Sequence, residues 1–112
     1  MTEKPISRFT VFFSVEADEE VLKSYEWGLL FWGQERANTW LREFYSSVKK
    51  RLGDFPLSYG LSPESSYLES EVRQIHIGRY RVLFEIEGSD VTVIRVVGPY
   101  AEMSDAKAMP LE

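Results

Sequence analysis

Four arginines and the chain's one histidine lie within "EVRQIHIGRYRVLFEIEGSDVTVIRVV", residues 71–97, in a protein of 112 residues whose formal net charge is -5. A guanidinium can hold an anion through two parallel hydrogen bonds, and an imidazole changes charge near neutral pH. Arg81 and His76, if neighbours, would set an anion site beside a group able to move a proton. The commoner role of a lone histidine opposite an arginine on a strand is a surface or partner-facing pair. The choice depends on the elements that place them.

Val, Ile, Phe and Tyr dominate the stretch, and its glycines sit where turns are needed. Gly78 and Arg79 suit a tight two-residue turn, and Glu87 to Asp90 a second, giving a three-stranded meander. "RFTVFFSV", residues 8–15, reads as an earlier strand. Asp18, Glu19 and Glu20 favour a helix N-terminus, so a helix is expected from about Ala17 to Trp32, with Val21, Leu22, Tyr25, Leu29 and Trp32 at helical spacing. Gly33 ends it. Ala37, Trp40, Leu41, Phe44, Val48, Leu52 and Phe55 then recur at steps of three or four, which marks a second, amphipathic helix. Lys49, Lys50 and Arg51 complement the dipole at its C-terminal end. "DFPLSYGLSPESSYLES" is broken by Pro56, Gly60 and Pro63 and reads as loop. The order β-α-α-β-β-β predicts an α+β domain: an antiparallel sheet with a helical hairpin packed on one face.

A chain of this length suits one domain over residues 1–112, with a core at about 9–100 and residues 101–112 as a flexible tail. It contains no cysteine, which excludes disulfides and thiolate metal sites. No apolar run approaches the roughly 20 residues of a membrane helix, and "MTEKPISRF" lacks a signal core, so a cytoplasmic protein without membrane contact is expected. The acidic balance, 18 acids against 13 bases, disfavours free DNA as a partner. Only residues 72–97 lean positive, with four basic and three acidic side chains. "SPESSYLESE" has acids and serines without ligand spacing, so no metal is assigned, and no glycine-rich phosphate loop is present. No cofactor is expected.

A two-residue turn at Gly78–Arg79 would pair Ile77 with Tyr80, His76 with Arg81, Ile75 with Val82 and Gln74 with Leu83. Alternation then assigns Ile75, Ile77, Tyr80, Val82, Phe84, Ile86, Val91, Val93 and Val97 to the core face, with Arg73 and Arg95 at its margins. The other face would carry Val72, Gln74, His76, Arg81, Leu83, Glu85, Thr92, Ile94 and Val96.

The element order, the helix pair ending in "LGDFPLSYG", and "GRYRVLFEI" followed by a short turn and "VTVIRV" resemble the RelE/ParE toxin superfamily of bacterial type II toxin-antitoxin modules over about residues 9–100. The resemblance implies a growth-inhibiting, plasmid-stabilising toxin neutralised by a cognate antitoxin that wraps part of it. Its target would be either mRNA on the ribosome or DNA gyrase. The nuclease branch is similar in using lysines on the first meander strand, an arginine opening the second, and an arginine with a nearby tyrosine after the last. Here Val72 and Gln74 stand at the lysine positions, Tyr100 stands near the later arginine, and Arg81 matches.

Cleaving RNA through its 2'-hydroxyl needs a base, an acid and cations for the phosphorane. Arg81 would serve the phosphate, and His76, Glu85 or Tyr100 would move protons, in a metal-independent endoribonuclease. Without the lysines, a ParE-like toxin that binds a protein such as gyrase is favoured. A RelE-like nuclease and a degenerate, non-toxic antitoxin-binding member are the alternatives.

The expected partner surface is an exposed patch of Val72, Leu83, Ile94 and Val96 rimmed by His76, Arg81 and Glu85. An antitoxin helix or strand would cover it and set carboxylates against Arg81. Met103 and Met109 of the tail are the flexible apolar type that could close part of it.

Overall fold

A computed structural model describes residues 8–67 and 70–98. The chain runs β1 (Thr10–Phe13), α1 (Val15–Trp32), α2 (Gln34–Asp54), two short 3-10 helices (Pro56–Ser58 and Pro63–Tyr67), β2 (Arg73–Ile77), β3 (Tyr80–Glu87) and β4 (Asp90–Val97). This is the expected α+β order. The sheet, however, is mixed and ordered β1-β4-β3-β2. β2, β3 and β4 form the antiparallel meander, whereas β1 lies parallel to β4, from Thr10 opposite Asp90 to Phe13 opposite Val93. A fully antiparallel sheet was the wrong expectation. The two helices between β1 and the meander form a crossover long enough to return the chain in the parallel sense.

Phe13 is the last residue of β1, and Ser14 turns the chain directly into α1. The Ser14 hydroxyl accepts from the Ala17 N–H at 3.0 Å, the N-cap arrangement that satisfies one orphan donor. α1 buries Ala17, Val21, Ser24 and Gly28, a row of small residues. Leu22 and Leu29, expected on the inward side, point outward instead. The physical reason is close helix approach: a Cβ at Gly28 would stand 3.5 Å from the Cβ of Ala37 in α2. Tyr25 to Asn38 and Tyr45 to Asp18 are hydrogen-bonded across the hairpin.

Both helices pack on one sheet face. Val21, Phe44, Val48, Leu52, Ile75, Tyr80, Val82, Phe84, Val91, Val93 and Val96 belong to one cluster. Large side chains in it, such as Phe84 and Leu52, each contribute about 1.5–3 kcal/mol by leaving water. Tyr80 joins α2 to the sheet, its ring 5.3 Å from that of Trp40 and 5.5 Å from that of Phe44.

The Gly78–Arg79 turn holds, with Gly78 at φ 61, and β2–β3 pair as expected from Ile77–Tyr80 to Gln74–Leu83. The β3–β4 register differs. Phe84 pairs with Val93 but Leu83 with Arg95, so Ile94 is an extra residue in a β-bulge. Beyond the bulge the faces of β4 exchange: Val96 opposes Val82 in the core, and Val97 opposes Arg81 on the outer side.

Candidate functional site

Three of the four arginines in the meander fasten a neighbouring segment. The Arg73 guanidinium donates to the Tyr59 carbonyl at 2.7 Å. Arg81 grips Glu64 with two hydrogen bonds, Nη1 to Oε1 at 3.0 Å and Nη2 to Oε2 at 2.7 Å, and donates to Gln74 Oε1 at 2.8 Å. Arg95 donates from Nε to Glu20 Oε2 at 2.7 Å. Arg79 is exposed at the turn. Arg81 and Arg95 are thus met by acids from other segments of the chain.

The Arg81–Glu64 pair closes the outer face of β2 and β3. The segment from Leu61 to Tyr67, and Ser70, are tied to these strands: the Ser62 N–H donates to the Val72 carbonyl at 2.7 Å, the Val72 N–H to Ser65 Oγ at 3.0 Å, and the Ser70 hydroxyl to Glu85 Oε2 at 2.7 Å. The hydrogen-bonded Arg81 guanidinium beside Glu64 holds that carboxyl down to about 2. Beneath this strap, Val72 and Leu83 are fully buried yet lie outside the core cluster on the helix side.

The four expected partner residues therefore do not form an exposed patch. Val72 and Leu83 are covered by the chain's own loop, Val96 is in the core, and Ile94 is half-buried at the bulge. The strap was missed because polar "PESSY" carries no apolar signal of covering a surface.

Of the catalytic candidates, Arg81 and His76 are cross-strand partners, and Glu85 lies two residues along β3 from Leu83 on the same side. Arg81 and Glu85 are both tied to the strap, while His76 is exposed. Tyr100, Met103 and Met109 lie outside the described residues. No three His, Asp or Glu side chains converge as metal ligands among the described residues. Nor is any described helix long and apolar enough to cross a membrane.

Exposed apolar side chains gather elsewhere, along α1. Leu22, Leu29, Leu30 and Phe31 are all open to water, and the Phe31 ring lies 4.7 Å from that of Trp27. The signal for this surface was legible: a surface helix needs one apolar stripe, and the second half of α1 is apolar on both sides.

No curated protein matches the chain in a sequence comparison. A solved structure described as "Chromosomal ParDE TA system from P. aeruginosa" matches with a TM-score of 0.67 and 15% sequence identity, over 82% of this chain and 97% of that one. It has the same fold. The family described as "ParE toxin of type II toxin-antitoxin system, parDE" matches residues 11–99. The chain belongs to the ParE toxin family of type II toxin-antitoxin systems.

Proposed function

We propose that the chain acts by binding a protein target, DNA gyrase, and that a cognate antitoxin neutralises it in the cytoplasm of a bacterium. The observation that carries this reading is the engagement of Arg81 by Glu64 and Gln74 under a strap that also holds Glu85. An RNA-cleaving site needs cations poised for a phosphorane and an open groove for the strand. Position 72 is instead a buried valine and position 74 a glutamine that accepts from Arg81. The reading asks for no catalytic group and no cofactor, only for surfaces.

The test adds the purified chain to gyrase supercoiling a relaxed plasmid and, in parallel, to ribosomes translating a defined mRNA. Supercoiling falls and the mRNA stays intact. Codon-dependent mRNA cleavage would overturn the proposal and return the chemistry to His76 and Glu85. Inactivity in both assays, with antitoxin binding retained, would mark a non-toxic member.

A further inference from the structure

Val15, Glu19, Leu22, Glu26 and the Leu29–Leu30 pair follow one another along α1 at steps of three or four and so line one stripe of the helix. The stripe faces away from Ala17, Val21, Ser24 and Gly28, which are buried. Val15 is 69% exposed, Leu22 52%, Leu30 80% and the adjoining Phe31 66%. Apolar side chains this open, grouped on one helix, mark an interaction surface.

The charges on the stripe are one-sided. Glu19 and Glu26 make no ion pair among the described residues, whereas Glu20, on the flank, is taken by Arg95. The last turn of α1 has no basic residue, so the negative end of its dipole is not offset there. Lys23 is the one cation between Glu16 and Trp32. The stripe therefore alternates apolar contact with two carboxylates that share one nearby cation, Lys23.

We propose that this stripe seats an amphipathic segment of the antitoxin, with apolar residues at helical spacing to meet Val15, Leu22, Leu29 and Leu30, and Lys or Arg between them to meet Glu19 and Glu26. The proposal rests on the reading that the chain is neutralised by an antitoxin, and adds where and by what chemistry. A second copy of the chain fits less well. Each copy would bring two carboxylates and one lysine to such a contact, which leaves carboxylates buried without counter-ions. A basic amphipathic segment supplies both things the stripe lacks.

The experiment titrates the protein encoded by the reading frame adjoining this one into the full chain by calorimetry. Leu22→Asp/Leu30→Asp raises Kd at least about thirtyfold, because it sets charge against the apolar centre of the contact. Glu19→Lys/Glu26→Lys raises Kd about tenfold and flattens its salt dependence. All four replaced side chains point to solvent, so the circular-dichroism spectrum and Tm stay native. Native-like variants that bind as tightly as the unsubstituted chain would overturn the proposal while leaving the toxin reading in place. No binding by the unsubstituted chain would overturn the proposal and the antitoxin half of that reading, while the supercoiling assay decides the gyrase half separately. A chain that sediments as a dimer, and as a monomer after Leu30→Asp, would assign the stripe to a second copy and overturn the antitoxin seat.

Discussion

Arg81 of β3 and Glu64 of the second 3-10 helix form a two-pronged ion pair, 2.7 Å at its shorter contact, that holds a loop against the outer face of the sheet. Both side chains are more than two-thirds shielded from water. The pair makes Arg81 a structural fastener.

Glu64 makes the fastening sensitive to acid. Its folded value of about 2 lies below the ordinary 4.5, so the stabilisation is whole above about pH 4.5 and is lost as pH falls towards 2. Glu64→Gln removes on the order of 1 kcal/mol at neutral pH and flattens this acid limb. Urea unfolding from about pH 2 to about pH 7 measures it. An acid limb identical to that of the unsubstituted chain would show that the pair is absent in solution.

Leu83→Asp destabilises the fold. Leu83 is 3% exposed beneath the strap, and an aspartate there is a buried carboxylate without a partner. The cost is about 2 kcal/mol or more. The midpoint of urea unfolding drops accordingly; a native midpoint would mean that the strap lifts to admit water.

Glu20→Ala weakens the edge of β4. Beyond Phe13, β1 no longer covers β4, and the N-cap of α1 and its first turns supply the missing partners. The Ser14 N–H donates to the Val93 carbonyl, the Ser14 hydroxyl donates to the Ile94 carbonyl, and Glu20 Oε1 accepts from the Val96 N–H at 2.6 Å. Losing the carboxylate costs about 1–3 kcal/mol. Hydrogen exchange at the Val96 amide accelerates in step, and unchanged protection there would refute the role of Glu20.

Gly98→Ala drives a methyl group into the ring of Tyr80. That ring is hemmed in by Trp40 and Phe44, so it has little room to yield. Overpacking of this kind costs about 1–3 kcal/mol, read as a fall in Tm. A Tm within error of the unsubstituted chain would show that the ring can move aside.

Much of the architecture was legible because its determinants are local. Gly78 set the β2–β3 register, and the spacing of Phe44, Val48 and Leu52 set the inward face of α2. The bulge at Ile94 was not legible, since "VTVIRVV" is apolar on both sides of it and no glycine marks the slip. One inserted residue then moved Val96 into the core and Val97 out of it. The Glu20–Arg95 contact joins residues 75 apart in sequence, and no local pattern reports such a pair. The outer face was misassigned for a similar reason: the strap is held by Glu64, Ser65 and Ser70, side chains that alone read as solvated.

The parallel pairing of β1 with β4 has a temporal consequence. Thr10 sits opposite Asp90, so the first strand has no neighbour until the last one exists. During synthesis, which adds about 5–20 residues per second, an emerging β1 waits several seconds with its ladder groups unpaired. The helical hairpin and the β2–β3 hairpin, whose contacts are short in sequence, can form in that interval; the sheet cannot close. A ribosome that stalls before β4 would release a fragment lacking one of the two inner strands, and with it the scaffold on which α1 and its stripe are held.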